Sequence, residues 1–264
     1  MGILIQVVAV AAYAAAAWAH WPGASRSSAA APAWLVPVAL GLHAAGIVSA
    51  IATPDGFDLS LPNAFSLVAG LCVLVTWAGG FLRTLPASAA VLLPVGAAGA
   101  LVSALFSSPH RFPYAAEPWA ALHIGIALLA YALLLVAAVT ALLMTGLEKR
   151  LHRGLPAEGG DGTPPLLTLE RYPFRLIGAG FVLLTATLIT GVLFSEDVFH
   201  QPFKLTHKSV LSFIAWLVFG TLLLGRWRFG WRGRKARNLI VAGSAFLVLA
   251  YLGYKFVLEV VLGR

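Results

Sequence analysis

Two histidines stand where they could do chemistry, each near the beginning of a separate long apolar run. His123 lies a few residues inside one run, and His207 lies where a polar stretch turns into another. A histidine at such a boundary can ligate a metal, carry a proton, or place its polar edge among lipid headgroups. The residues alone leave a simpler interpretation open for each: a hydrogen-bonded core histidine at position 123, and an interfacial histidine beside snorkelling Lys208 at position 207.

A third histidine, His43, falls in the middle of an apolar run. A polar ring at that depth is costly to leave without a partner, so we expect it to have a role. Two tryptophans accompany the other candidates: Trp119 precedes His123, and Trp216 follows His207. We interpret both as packing or interfacial residues, with stacking against a ligand as the alternative.

The elements that must position these residues are membrane helices. The chain has 60% hydrophobic and 11% charged residues over 264 positions, whereas a soluble domain carries about 25% charged residues. Its apolar residues come in runs near the length that crosses a ~30 Å hydrocarbon core as a helix. The net charge of +8 is concentrated in two linkers, which indicates orientation and contact with anionic lipid rather than nucleic acid binding. The single cysteine excludes a paired-thiol site within the chain.

Eight spans can be counted, which predicts an all-α, polytopic membrane helical bundle. We treat residues 1–264 as one transmembrane domain, with a flexible loop over Glu148–Tyr172. The first apolar stretch has no positively charged residues before it, so we expect a retained helix rather than a cleaved signal. The predicted spans are Ile3–Ala19, Trp34–Ala52, Ala64–Leu82, Ala87–Phe106, Trp119–Leu147, Phe174–Phe194, Lys208–Gly225 and Asn238–Leu262.

The distribution of lysine and arginine predicts the orientation. Thirteen of the 18 basic residues fall in the first, third, fifth and seventh linkers, and five fall on the other side. Basic linkers remain cytoplasmic, so both termini should face the outer, periplasmic side. His123 and His207 then share the outer face, with His123 about four residues, or ~6 Å, below the start of its helix. Two imidazoles at matched height could approach a flat iron porphyrin from opposite sides, as in axial histidine ligation of haem.

Four stretches resemble the cytochrome c assembly family of membrane proteins, the CcsA and CcmC group, and most closely its HemX and YpjD branch. The likeness extends over nearly all of the chain beyond residue 40, and the family's outer-face histidine maps onto His123. The stretches are Leu122–Ile124 with Leu129–Tyr131, Leu61–Leu67, Phe213–Phe219 with Gly230–Ala236, and Tyr251–Phe256.

The resemblance implies a haem-handling assembly factor of the bacterial inner membrane that binds haem b reversibly and without a covalent bond. On this hypothesis His123 and His207 are the axial ligand candidates, and Lys204 and Lys208 meet the haem propionates. His43 would be a second station deeper in the bundle, and Trp119 and Trp216 would border the ring. The implied partners are the lipid bilayer, haem and other membrane assembly proteins, and the role is binding and transfer rather than catalysis.

One departure from the family keeps other hypotheses open. The tryptophan-rich outer loop of the family is replaced by Ser195–Lys208, which contains no tryptophan. The main alternative is therefore a non-catalytic membrane scaffold or regulatory protein that has lost the haem site. A third hypothesis is a proton or small-solute pathway through His43, for which Glu259 is the one candidate intramembrane carboxylate.

Overall fold

Eight helices account for most of the residues that the structure describes. The computed structural model describes residues 2–20, 34–53, 56–80, 86–106, 111–112, 118–153, 166–193 and 206–262. The helices are α1 (Gly2–Ala19), α2 (Leu35–Ile51), α3 (Leu61–Ala78), α4 (Pro86–Leu105), α5 (Pro118–His152), α6 (Leu166–Leu193), α7 (His207–Phe229) and α8 (Gly233–Val261). Within α8, the stretches Leu249–Gly253 and Val257–Val261 are π-helical.

Each predicted span corresponds to one of these helices, so the prediction of an all-α polytopic membrane bundle is confirmed. Seven of the helices are long and apolar enough to cross a membrane. The remaining helix, α2, has 17 residues and is about 25 Å long at 1.5 Å per residue. That is somewhat shorter than the ~30 Å hydrocarbon core.

The predicted loop over Glu148–Tyr172 is shorter in the structure than the sequence suggested. Helix α5 continues to His152 and α6 begins at Leu166, so both ends of the predicted loop are helical. The residues that extend α5 include leucine, glutamate, lysine and arginine, all good helix formers. The apolar run ends where the charged residues begin, but the helix continues through them. The centre of the loop, residues 154–165, lies outside the described residues.

The helices pack as two neighbouring groups. Helices α1 to α4 surround a smaller cluster of buried side chains that includes Tyr13 and Leu93. Helices α5 to α8, with one face of α3, surround a larger cluster that includes Leu134 and Phe219. In the second group the packing runs from α5 to α6, α7, α8 and back to α5, so α5 and α7 lie diagonally across it.

The two ends of the bundle differ in chemistry. At one end, here called the basic end, α7 and α8 are joined by a tight turn in which Gly230 and Gly233 have φ of 65° and 60°. Such values favour glycine because an L side chain clashes there. At the opposite end, here called the far end, three short antiparallel strands connect two linkers. They are β1 (Ala52–Thr53), β2 (Gly56–Asp58) and β3 (Arg111–Phe112), in the order β1-β2-β3.

The far end of α8 makes polar contacts with the beginning of α3. Lys255 and Glu259 form a buried ion pair at 3.1 Å. Lys255 also donates to the carbonyl of Leu59, and the backbone N–H of Leu61 donates to the second Glu259 oxygen at 2.7 Å. These contacts satisfy one of the N–H groups that a helix leaves unpaired in its first turn. They also give each buried charge a partner, without which it would be costly in a membrane interior.

Candidate functional site

His123 is held by one ring nitrogen, and its other nitrogen is available. The half-buried ring places Nδ1 2.8 Å from the hydroxyl of Thr190 on α6. That hydroxyl is also 2.8 Å from the carbonyl oxygen of Ala186, which can only accept. When the single hydroxyl proton points to Ala186, Nδ1 donates to Thr190 and Nε2 keeps its lone pair. Among the described residues, Nε2 has no hydrogen-bond partner.

This tautomer is the one that a metal-binding histidine needs. Ligating histidines characteristically donate the other ring N–H to an oxygen, which fixes the orientation of the ring. Gly191, next to Thr190, lies against the ring: a Cβ at that position would be 3.4 Å from His123 Cε1. The helix face that carries Thr190 and Gly191 therefore both anchors the imidazole and leaves room for it.

Positive charge lies close to this histidine. Lys208 is exposed at the start of α7, but its ammonium group points inward, 5.6 Å from the centre of the Tyr251 ring. It is also near enough to His123 for the two groups to interact electrostatically. Lys255 lies 5.9 Å from the same tyrosine ring. Tyr251 thus contacts two ammonium groups through its negative π face. We refer to His123, Thr190, Lys208, Tyr251 and Lys255 as the far-end cluster.

The second predicted ligand, His207, is the first residue of α7 and is exposed. It belongs to α7, the helix diagonal to α5. Its neighbour Lys208 reaches the far-end cluster, so the start of α7 lies at the same end of the bundle. Lys204, the other predicted propionate partner, lies outside the described residues.

The two predicted tryptophans differ in environment. Trp216 is half-buried, its indole N–H donates to the hydroxyl of Thr185 at 2.8 Å, and its ring is stacked with those of Phe181 and Phe213 at 5.6 Å. These contacts favour the packing interpretation of Trp216. Trp119 is 60% exposed in the first turn of α5, as expected for a residue at the membrane interface.

His43 has a quite different setting, in the first group of helices. It is 2% exposed. Its Nδ1 is 3.1 Å from the hydroxyl of Tyr13 on α1, and its Nε2 is 2.8 Å from the hydroxyl of Ser66 on α3. Both ring nitrogens are therefore engaged, and the three residues connect three helices. No lone pair is left for a metal unless one of these hydrogen bonds breaks.

Three members of the far-end cluster were missed by reasoning from the sequence alone. Lys255 could have been found, because it stands four residues before Glu259 in an apolar helix, the spacing of a helical ion pair. Thr190 and Tyr251 carry no such signal. Among the described residues, no group of three or more His, Cys, Asp or Glu side chains could hold a metal ion together.

Fold and site together define a polytopic, all-α membrane protein with a histidine at one end of a helical bundle. The model of the family described as "Cytochrome C assembly protein" matches residues 33–262, and the chain belongs to that family. No solved structure matched the chain.

Curated relatives agree with this assignment. The chain is 34% identical over 232 residues to "Inner membrane protein YpjD" of Escherichia coli K12, with 85% of each chain covered. It is 26% identical over 270 residues to "Cytochrome c biogenesis protein CcsA" of Synechococcus sp. CC9605, covering 89% of this chain and 86% of that protein. The inner-membrane relative and the seven apolar helices agree with a multi-pass location in the inner membrane.

Proposed function

We propose that this protein is a haem-handling factor for cytochrome c assembly or haem homeostasis. It would bind haem b non-covalently at the far end of helices α5 to α8, through Nε2 of His123. The observation that carries the proposal is the 2.8 Å contact between His123 Nδ1 and the Thr190 hydroxyl, which holds the ring while Nε2 has no hydrogen-bond partner among the described residues. The names of the CcsA relatives supply the link to cytochrome c biogenesis.

The residues present fit such a group. Haem, when bound, would supply an iron that accepts a neutral imidazole as axial ligand. His123 presents that imidazole, and the Lys208 ammonium group would neutralise a propionate. Apolar side chains remain exposed near the far ends of α5, α6 and α7, including Leu122, Val192 and Val210, and would receive the edge of an apolar ring. His207, on the diagonal helix, is the candidate for the second axial position, and Lys204 for the second propionate.

The hydrogen bonds of His43 argue for a structural role rather than a second haem station. A ligand at His43 would have to replace Tyr13 or Ser66, each of which is itself buried. The pathway hypothesis is also weakened, because its candidate carboxylate, Glu259, is paired with Lys255. Other membrane assembly proteins are the partners that this function implies.

Visible absorption of the purified protein tests the proposal. Cells supplied with a haem precursor should yield protein with a Soret band that follows it through purification. The haem content of His123→Ala should be lower than that of the wild type by about tenfold or more. Added imidazole should restore the Soret band by filling the vacated position. His207→Ala should convert a six-coordinate spectrum to a five-coordinate one. A colourless wild-type protein that is otherwise folded would reject haem binding and support the scaffold alternative.

The orientation is part of the same proposal: the basic end faces the cytoplasm and the far end faces outside. Six basic residues between Arg226 and Arg237 strongly oppose translocation. A cysteine at exposed Leu262, at the far end, should react with a membrane-impermeant thiol reagent in intact cells. A cysteine at exposed Phe229, at the basic end, should react only after permeabilisation. The reverse pattern would overturn the orientation without affecting the haem test.

A further inference from the structure

A groove opens between α5 and α8 at the basic end, away from the far-end cluster. It encloses about 980 Å³, and its apolar part is lined by Leu142, Val241, Ala242 and Ala245. Leu142 is 56% exposed although it lies well inside an apolar helix. The small alanine side chains leave space between the helices, so the groove is open toward lipid.

Both walls of the groove change from apolar to charged in the same direction. Leu142 on α5 and Arg153, the residue directly after the end of α5, are eleven positions apart, or ~16 Å at the helical rise. On α8, which runs the opposite way, Ala245 and Arg234 are also eleven positions apart, with Asn238 between them. All five residues line the groove. The two helices therefore present matching depth profiles, apolar toward the membrane centre and cationic toward its surface.

The polar end of the groove carries an excess of positive charge. Lys149, Arg153 and Arg234 are exposed around its mouth. Arg237 is the fourth basic residue, and it pairs with Glu148 at 2.7 Å. Four basic side chains thus face one carboxylate, which leaves the mouth strongly attractive to an anion.

We infer that this groove binds one anionic phospholipid, with its phosphate among the exposed cations and an acyl chain along the apolar floor. Charge complementarity selects an anionic headgroup, because basic pockets between membrane helices favour such lipids. The matched depth profiles select a lipid over a soluble anion, since a free phosphate would leave the apolar floor formed by Leu142, Val241, Ala242 and Ala245 uncovered. The inference holds whether or not the far end binds haem.

Native mass spectrometry of the delipidated full chain, titrated with dioleoyl phosphatidylglycerol or dioleoyl phosphatidylcholine, tests this inference. The wild type should retain one phosphatidylglycerol molecule at about tenfold lower lipid concentration than phosphatidylcholine. The double variant Lys149→Gln, Arg234→Gln should lower that preference to about twofold or less. Ala245→Trp should weaken the binding of both lipids by filling the apolar part of the groove.

Matched controls separate the groove from general surface charge. Arg171→Gln with Arg228→Gln removes two exposed cations at the same end but outside the groove, and should keep the preference. Ala14→Trp places the same bulk on an exposed face of α1 and should change neither lipid. Equal loss in the groove and control variants would overturn the inference. So would equally tight binding of glycerophosphoglycerol, a soluble headgroup without acyl chains.

Discussion

His43 and His123 both place an imidazole within an apolar helix, but the contacts of the two rings suit them to different roles. The ring of His43 is 2% exposed and makes a hydrogen bond at each nitrogen, to Tyr13 and to Ser66. The ring of His123 is half-buried and is held at Nδ1 alone, by Thr190. The first ring joins α1, α2 and α3 into one unit, whereas the second is oriented by α6 and has one nitrogen without a partner among the described residues.

The difference separates two ways of satisfying a polar ring in a membrane protein. A histidine whose nitrogens both have buried partners contributes to the stability of the fold, because any loss leaves those partners unpaired. A histidine with one anchored nitrogen and one available nitrogen is prepared for a ligand. Depth in the membrane alone would have ranked His43 as the stronger functional candidate. The hydrogen-bond partners reverse that order.

The largest expected effect on stability is that of His43→Leu. It leaves the buried hydroxyls of Tyr13 and Ser66 without their partner, at about 1–3 kcal/mol for each unpaired group. Thermal unfolding in detergent should show the loss, while haem content per folded protein stays unchanged. His43→Gln, which can keep one of the two hydrogen bonds, should lose less. Normal stability combined with lost haem would instead make His43 a haem-binding residue, and the contrast drawn between His43 and His123 would be wrong.

Thr190→Val tests the other side of the comparison. The variant removes the acceptor that fixes His123 Nδ1–H, so haem affinity should fall about 10–100-fold, as is typical when the partner of a ligating histidine is lost. Thr187→Val is the matched control, because the Thr187 hydroxyl bonds to the Leu183 carbonyl of its own helix. Haem titration followed at the Soret band measures both. An equal effect of the two variants would mean that Thr190 does not act through His123.

Trp216→Phe should have a smaller effect, confined to stability. It removes the hydrogen bond to Thr185 but keeps an aromatic ring between α6 and α7, which should cost about 1 kcal/mol. Thr185→Val removes the same bond from the other partner and should give a similar loss in unfolding experiments. A shift of the Soret maximum in Trp216→Phe alone would assign the indole to the haem contact.

The smallest effects should come from two glycines that face the two rings. A Cβ at position 70 would lie 3.2 Å from His43 Cε1 and Nδ1, and one at position 191 would lie 3.4 Å from His123 Cε1. The closer ring is fixed by two hydrogen bonds and cannot move aside. Gly70→Ala should therefore destabilise by about 1 kcal/mol through overpacking, whereas Gly191→Ala should be neutral or gain up to about 1 kcal/mol from helix propensity. Changes of the same sign in thermal unfolding would contradict this ranking.

Hydropathy predicted the number and order of the helices, because the thickness of the hydrocarbon core sets the length of an apolar run. It predicted helix ends less well. The sixth span was predicted to begin at Phe174, but α6 begins at Leu166. A hydropathy profile ends a span where charges appear, and a helix rich in good helix formers continues into the headgroups.

The site was predictable in part. The depth of His123 could be derived from its distance to the beginning of its run. The role of Thr190 could not, because Thr185, Thr187 and Thr190 all bond to carbonyls of their own helix and look equivalent in sequence. The rotation of α6 against α5 decides which of them meets the imidazole, and tertiary packing sets that rotation. The pairing of His123 with His207 on one iron remains a prediction.

The polar contacts between α8 and the beginning of α3 also set a condition on biosynthesis. Leu61 and its partner Glu259 are 198 positions apart, so nearly the whole chain must leave the ribosome before they can meet. Until α8 has inserted, the first turn of α3 lacks this partner in a solvent that offers few others. A chain that ends before Lys255 would therefore retain a defect at the far end of α3 that earlier helices do not repair.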